Sequence, residues 1–259
     1  MKISLADQEA VIVGGGNGIG AAIAKAFLEV GARVLVLDRD PVGLERVQSL
    51  NQGRIETTLV DITDLSEIEN IASSTAVDHL VCAAAVGSGK TGFPFWKMSP
   101  EDWHQVIDVT LMGTVRTLHA FVPSLLEGET SRKSILFLSS VAGQIGSQTD
   151  PPYSACKAAV INFAQCAAKD FASYGIRVNA LSPGMVKTDL NESVYEASES
   201  ASSQSYEEWA EEKIARLSPL SRWQETEEFG AMAVFLASEQ GRNITGQTLN
   251  IDGGQVMHS

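Results

Sequence analysis

The chain has 259 residues, 44% of them hydrophobic, which suits one globular domain with a single sizeable core. Its formal net charge is -13, and the sequence shows no cluster of Lys and Arg. A surface of this sign repels phosphate backbones, so we predict no nucleic-acid partner.

Short runs rich in Val, Ile and Leu alternate along the chain with longer segments that have helical apolar spacing. The predicted strands are, in chain order, Glu9–Val13, Arg33–Leu37, Ile55–Leu59, His79–Ala83, Ser134–Leu138, Arg177–Leu181 and Thr248–Ile251. The predicted helices are Gly18–Val30, Val42–Leu50, Leu65–Ser73, Pro100–Leu126, Tyr153–Ala172 and Glu225–Ala237. Continuous apolar strands separated by helices indicate βαβ units around a buried parallel sheet. We therefore predict one α/β domain over residues 1–259, doubly wound, with a seven-stranded parallel sheet and helices on both faces.

One biased segment interrupts this alternation after Pro183-Gly184. Residues 192–205 are rich in Ser, Glu and Ala, and a short polar helix is predicted near Tyr206–Leu217. A long insertion at the carboxyl end of a strand in an open α/β sheet lies where ligands bind. We therefore predict a substrate lid over residues 189–218, and the alternative is a surface excursion without a role.

A glycine-rich turn follows the first predicted strand and opens the first predicted helix. Glycines allow a sharp turn and a close approach of the backbone to a pyrophosphate, and the helix N-terminus offers N–H groups and partial positive charge. The pattern predicts a dinucleotide site. Its expected contacts are Gly14, Gly16, Asn17, Gly18, Ile19 and Gly20.

An acidic residue, Asp38, follows the second predicted strand. A carboxylate at this point can accept hydrogen bonds from the adenosine ribose hydroxyls and would repel a 2′-phosphate. The neighbouring Arg39 could instead serve NADP, but no basic residue occupies the glycine turn. These observations predict NAD as the cofactor.

The pair Asp61-Ile62 follows the third predicted strand. It resembles the acid-plus-apolar pair that holds the adenine amino group and ring in such folds. The alternative is a helix cap through Asp61 or through Thr63-Asp64.

A further motif combines a serine, a tyrosine and a lysine. Tyr153 and Lys157 are four residues apart at the start of a predicted helix, so their side chains share one face, and Ser140 lies 13 residues before Tyr153. With the glycine turn, Asn179-Ala-Leu-Ser-Pro183-Gly184 and the tail of residues 244–254, this spacing resembles the short-chain dehydrogenase/reductase family nearly end to end. The resemblance implies a Rossmann-type oxidoreductase that moves a hydride between nicotinamide C4 and a small-molecule secondary alcohol or ketone. It also implies a homotetramer that packs through the two longest predicted helices.

The resemblance also implies the roles of individual residues. Tyr153 is the expected acid/base, because the ammonium of Lys157 and the cationic nicotinamide ring would lower the tyrosine pKa from about 10. Lys157 is also expected to bind the nicotinamide ribose, and Ser140 to hydrogen-bond the substrate oxygen. Other expected contacts near the nicotinamide are Pro183, Gly184, Val186 and Thr188. For Thr188 a helix N-cap is the alternative.

Three positions depart from the family pattern. Val13 replaces the usual Thr at the head of the glycine turn, which removes a hydrogen bond but no phosphate contact. Cys82 is followed by Ala83, Ala84 and Ala85, where Asn-Asn-Ala-Gly is usual, and these small residues still permit a cofactor to approach. Thr110 stands where the fourth catalytic residue, Asn, is expected. Its hydroxyl could hold the proton-relay water, although not with the geometry of an amide.

The substrate is predicted less specifically. The expected substrate contacts are Ser140, Gln144, Tyr153 and Met185. Polar residues near the active turn, with Gln148 among them, favour a sugar, polyol or hydroxy acid, whereas Trp96 and Tyr195 would suit a ring or a short acyl chain. A catalytically weak NAD-binding regulatory or scaffold protein is the alternative function, favoured by the departures at residues 82–85 and 110.

The sequence also indicates a compartment. The three cysteines have no CxxC spacing, which favours a reducing environment over a disulfide framework. The N-terminal segment lacks the apolar run of a secretory signal, and no uninterrupted apolar run reaches about 18 residues. We therefore expect a cytoplasmic protein without a membrane partner. The four histidines show no metal-ligand spacing, so no metal is predicted.

Overall fold

A computed structural model describes residues 3–50, 53–90, 94–129, 132–147 and 149–257. One parallel sheet of seven strands runs through the molecule in the order β3-β2-β1-β4-β5-β6-β7. The strands are β1 Glu9–Val13, β2 Arg33–Asp38, β3 Ile55–Leu59, β4 His79–Cys82, β5 Ser134–Leu138, β6 Arg177–Pro183 and β7 Thr248–Ile251. The predicted doubly wound fold is confirmed. The chain adds β2 and β3 on one side of β1, and β4 to β7 on the other side. The order of strands therefore reverses between β1 and β4, and a crevice opens at the carboxyl ends of these two strands.

Ten α-helices connect or follow the strands in the described residues. They are α1 Gly18–Glu29, α2 Pro41–Gln48, α3 Leu65–Ala72, α4 Glu101–Val106, α5 Gly113–Leu126, α6 Ala142–Ile145, α7 Pro151–Phe171, α8 Asp189–Glu196, α9 Tyr206–Leu217 and α10 Thr226–Ala237. Caps in the sequence set several of these starts. Asp40 and Asp150 accept backbone N–H groups at the first turns of α2 and α7, where proline follows each cap.

Two apolar layers hold the helices against the sheet. On one face, Ile23 and Phe27 of α1 and Phe229 of α10 belong to a buried cluster with the strand residues Ile12 and Val36. On the other face, side chains of α3, α5 and α7 pack on the sheet in a second cluster, which contains Ile68, Phe121 and Val160. Each fully buried side chain of this size contributes roughly 1.5–3 kcal/mol. The two layers fix the sheet edge where the strands end.

The predicted helix Pro100–Leu126 is one helical run with an irregular centre. Between α4 and α5, Ile107–Met112 forms a π-helix. Among the described residues, the run Glu101–Leu126 alone is long and apolar enough to cross a membrane by length and composition. Its side chains include the buried Phe121 and Leu125. Buried core helices of soluble proteins also meet these criteria of length and composition.

Candidate active site at the carboxyl ends of the strands

A cleft of about 1130 Å³ lies at the carboxyl edge of the sheet. It is bounded by the glycine turn, the segments that follow β2 to β6, and the insertion after β6. Single-ligand pockets are commonly about 300–1,000 Å³, so this cleft has room for a dinucleotide and a small substrate. All the site residues predicted from the sequence line it except Gly16, Thr110 and Gln144.

The glycine turn is packed so tightly that side chains are excluded. Gly14 has φ +79°, and a Cβ built there would overlap the backbone N of Ala84. A Cβ at Gly20 would overlap the carbonyl oxygen of Gly14. The alanine stretch after β4 therefore lies directly against the turn, which is why small residues are needed there.

The first turn of α1 is open for an anion. Asn17, its N-cap, makes no side-chain cap hydrogen bond, and the turn contains no acidic residue. Asn17 Nδ2 donates to Asp40 Oδ2 at 2.7 Å, while the buried Asn17 Oδ1 has no hydrogen-bond partner among the described residues. Uncapped N–H groups at a helix N-terminus suit a phosphate.

Asp38 is held in place by the turn itself. Its Oδ2 accepts the N–H of Gly16 at 2.8 Å, and its Oδ1 accepts the N–H of Asp40 at 3.0 Å. Gly16 thus lies behind the carboxylate rather than in the cleft. Asp38, Asp40 and Asp61 all line this end, against the single cation Arg39. A hydrogen bond from Asn17 lowers the pKa of Asp40, so its carboxylate stays charged.

Asp61 does not cap a helix. It accepts the backbone N–H of Thr63 at 2.9 Å and its hydroxyl at 2.8 Å, and these hydrogen bonds lower its pKa. The cap of α3 is Asp64, whose side chain accepts the N–H groups of Ser66 and Glu67. The alternative of a cap at residues 63–64 is confirmed for Asp64, and Asp61 is left facing the cleft with Ile62.

The residues present fit a nicotinamide dinucleotide. Gly14 and Gly20 leave no room for a Cβ, so the backbone of the turn packs closely on the start of α1 and the segment after β4. The uncapped turn of α1 offers N–H donors, and an acid stands at the end of β2. At the other end of the cleft, Ser140, Tyr153 and Lys157 come together from the end of β5 and the first turns of α7.

The Tyr153 and Lys157 side chains lie close together but are not hydrogen-bonded to each other. Lys157 Nζ is 5.4 Å from the centroid of the Tyr153 ring and donates to the carbonyl oxygen of Leu138 at 2.6 Å. Ser140 lines the same part of the cleft and accepts the N–H of Ala142 at 3.1 Å. Asp150 caps the helix by accepting the N–H of Tyr153 at 3.3 Å. The backbone of the tyrosine is therefore fixed at the start of α7.

Burial dominates the ionisation of this pair. It raises the pKa of Tyr153 above its ordinary value, the hydrogen bond from Ser140 opposes this, and the charge of Asp150 adds to it. Burial also lowers the pKa of Lys157 to about 8. The chain alone therefore does not produce the lowered tyrosine pKa expected from the sequence, because a buried ammonium that is itself disfavoured gives the phenolate little support.

Thr110 does not line the cleft, and its role as a fourth catalytic residue stays a prediction. The side chain is 1% exposed, within the π-helix. Its hydroxyl donates to the carbonyl oxygen of Val86 and accepts the N–H of Val86, both at 3.1 Å. Its backbone carbonyl accepts the hydroxyl of Thr114 at 2.9 Å. Thr110 therefore ties the segment after β4 to the helix.

Gln144 also faces away from the cleft. Its side-chain amide exchanges two hydrogen bonds with the amide of Asn250 on β7, at 2.9 and 2.8 Å. Its substrate contact stays a prediction, and in this structure the amide is already paired with Asn250. Gln148 lies outside the described residues. Trp96, at 73% exposed, is also outside the cleft lining.

The insertion after β6 is a folded unit. Thr188 N-caps α8 by accepting the N–H of Asn191 at 3.4 Å, so the N-cap alternative is confirmed. Ser205 and Glu208 form a capping box at α9. A small core joins this unit to the end of β6 through Met185, Trp209, Ala210 and Ile214, with Tyr195 packed against it. Several of its side chains line the cleft, namely Asn191, Ser193, Val194, Lys213, Arg216 and Leu217. Sequence reasoning did not single these out.

A family model described as enoyl-(acyl carrier protein) reductase matches residues 14–256. The chain belongs to the short-chain dehydrogenase/reductase family, and with that it is an oxidoreductase that uses a nicotinamide dinucleotide.

Its relatives differ in their substrates. The chain is 32% identical to a 3-oxoacyl-(acyl-carrier-protein) reductase of Synechocystis sp., over 98% of this chain and 99% of the relative. It is 30% identical to a galactitol 2-dehydrogenase of Rhizobium johnstonii, over 98% of this chain and 96% of the relative. A crystal structure from Beutenbergia cavernae, of a candidate NAD(P)-dependent gluconate 5-dehydrogenase with NADP bound at low occupancy, matches with a TM-score of 0.85 at 29% identity. That match covers 98% of this chain and 99% of the other.

Proposed function

We propose that the protein is an NAD-dependent dehydrogenase that interconverts a secondary alcohol and a ketone in a sugar, polyol or hydroxy acid. One observation carries the proposal: Ser140, Tyr153 and Lys157 meet in one cleft with the glycine turn and Asp38. A protein that only bound the cofactor would have no chemical need for a serine, a half-buried tyrosine and a buried lysine that meet in the same cleft.

The chemistry divides between the cofactor and three side chains. When bound, the dinucleotide exchanges the hydride at nicotinamide C4, and its oxidised ring brings a positive charge beside the tyrosine. In alcohol oxidation, Tyr153 Oη takes the proton of the substrate hydroxyl as the substrate C–O bond becomes a carbonyl. In ketone reduction, the same Oη returns that proton to the oxygen. General acid–base catalysis of this kind contributes typically about 10²–10⁴-fold.

Ser140 and Lys157 position this proton transfer. The Ser140 hydroxyl lines the cleft together with Tyr153, and it can donate to the substrate oxygen and stabilise negative charge on it. Lys157 is buried with its ammonium on the carbonyl oxygen of Leu138, which holds Nζ beside the tyrosine ring. From there it can bind the nicotinamide ribose.

The preference for NAD rests on the charges at the adenosine end. A 2′-phosphate would be repelled by the three carboxylates of this end, which are Asp38, Asp40 and Asp61. The carboxylate of Asp38 is held in place by two backbone N–H groups. Arg39 is the opposing cation, and the Beutenbergia relative was solved with NADP. Titration of the protein with NADH and NADPH, followed by nucleotide fluorescence, tests the preference. We expect a lower Kd for NADH, and a lower Kd for NADPH would contradict it.

The experiment that tests turnover is a screen of sugars, polyols, hydroxy acids and cyclic alcohols with NAD⁺, read by the absorbance of reduced nicotinamide. We expect hydride transfer with at least one polar secondary alcohol. Tight NADH binding with no transfer in either direction, including with ketones, would favour the regulatory or scaffold alternative instead.

Light scattering of the same sample tests the homotetramer, which we propose from the family and which has four times the 27.7 kDa chain mass.

A further inference from the structure

The charges of helix α9 are sorted between its two sides. The helix carries four glutamates, at positions 207, 208, 211 and 212, and two cations, Lys213 and Arg216. Both cations line the cleft, and none of the four glutamates does. On a protein of net charge -13, this places positive charge at the lid end of the site.

Lys213 is held in the cleft without a charged partner. Its Nζ lies 4.3 Å from the centroid of the Trp209 ring, and it makes no hydrogen bond or ion pair with any residue that the structure describes. Burial lowers its pKa to about 8, and the positive charge of Arg216 is the second cause. A partly desolvated ammonium normally finds an acceptor, so this one is available to a ligand.

A second polar group of the lid is also left unpaired. Asn191 lines the cleft, and its Oδ1 is buried without a hydrogen-bond partner among the described residues. Its Nδ2 faces the sulfur of Met185 at 3.8 Å, a weak contact. The Asn191 side chain is therefore only weakly held by the residues around it.

The acids that line the cleft do not neutralise Lys213. Asp38, Asp40 and Asp61 stand at the glycine-turn end, and Asp150 is committed to the N–H groups of Ser88 and Tyr153. Asp189, at the start of α8, also lines the cleft. None of these carboxylates perturbs the pKa of Lys213.

From these contacts we propose that the substrate carries a carboxylate, which Lys213 binds at the lid end of the cleft. Arg216 adds to the positive field there. The substrate class is therefore a small hydroxy acid or its oxo form rather than a neutral polyol. This inference rests on the proposed function, and it makes Lys213 a specificity-determining residue.

The test uses pairs in which a neutral group replaces the carboxylate: gluconate with glucitol, and 3-hydroxybutyrate with its methyl ester. The native enzyme is compared with Lys213→Met, which keeps length and packing on Trp209, with Lys213→Arg, which keeps the charge, and with Lys169→Met, an exposed lysine far along α7. We expect the ratio of kcat/KM for acid over neutral partner to fall about tenfold or more in Lys213→Met, mainly through KM. The ratio should stay unchanged in Lys169→Met and be largely kept in Lys213→Arg.

Binding separates this inference from the proposed function. Calorimetry measures each acid and its neutral partner on the NADH complex, so it does not need turnover. Weaker acid binding by folded Lys213→Met supports the inference even if no hydride is transferred. The inference is overturned if no acid binds, if neutral partners or acetoacetyl-CoA bind better than the acids, or if the loss in Lys213→Met is in NADH affinity.

Discussion

Asp38→Asn tests how the chain distinguishes its cofactors. The carboxylate uses one oxygen for the N–H of Gly16 and the other for the N–H of Asp40. An asparagine can accept only one of these, and its amide N–H₂ would then face the other N–H. The substitution therefore removes a charge from the adenosine end and leaves one backbone donor of the turn without an acceptor.

Both effects have a size that can be worked out. A charge pair at about 4 Å is worth ~1 kcal/mol in water and ~4 kcal/mol near a protein surface, and the open cleft favours the lower end. Asp38→Asn removes the repulsion of a 2′-phosphate. It should therefore lower the ratio of the Kd for NADPH to the Kd for NADH by roughly 5–30-fold. The unpaired N–H should lower the free energy of unfolding by about 1–3 kcal/mol.

Two measurements separate these effects. Nucleotide fluorescence titration gives both Kd values, and thermal unfolding without nucleotide gives the stability. Glu45→Gln, an exposed acid on α2 outside the cleft lining, is the matched control and should leave the ratio unchanged. If Asp38→Asn kept the native ratio while losing stability, Asp38 would support the turn without reading the ribose.

Substitutions at three further positions probe other parts of the site. Thr110→Val removes both hydrogen bonds to Val86 and should lower the free energy of unfolding, measured by chemical denaturation, by about 1–3 kcal/mol. Equal stability of Thr110→Val and the native protein would contradict this role of the hydroxyl. Thr110→Asn keeps a donor and an acceptor and should leave turnover intact or raise it. The Cβ of Gly20→Ala would overlap the carbonyl oxygen of Gly14 and displace the glycine turn. We therefore expect that NADH no longer raises the Tm of this variant. A rise in Tm like that of the native protein would contradict a dinucleotide site at the turn. Lys157 has a folded pKa of about 8, below its unfolded value, so the unfolded chain binds more protons between about pH 8 and 10.5. The native stability should therefore rise with pH across that window relative to Lys157→Met, and parallel curves for the two proteins would refute the buried ammonium.

Much of the fold could be predicted because its signals are local. Most strands are short apolar runs, and the glycine turn lies between one such run and a helix, so β1 and β5 have the predicted limits. The ends that moved depend on pairing: β2 extends to Asp38, opposite Leu59, and β6 extends to Pro183, opposite Ile251. These partners are distant in sequence, so a local pattern cannot show them.

The parts of the site that could not be predicted depend on packing. Gln144 is polar and close to the active turn, yet its amide pairs with Asn250, 106 residues away. The hydroxyl of Thr110 is used up by Val86, which only the π-helix brings within reach. The pKa of Tyr153 is raised because of burial, and the spacing to Lys157 does not reveal burial. Lys213 faces the cleft because α9 packs through Trp209 on Met185.

The central claim is that the Tyr153 hydroxyl carries the proton. The most direct measurement is single-turnover hydride transfer by Tyr153→Phe with saturating NAD⁺ and alcohol, beside Tyr174→Phe, which changes a half-exposed tyrosine outside the cleft lining. We expect transfer to slow by about 10²–10⁴-fold in Tyr153→Phe at unchanged NADH affinity, and to remain native in Tyr174→Phe. A native rate in a folded Tyr153→Phe protein would contradict the mechanism.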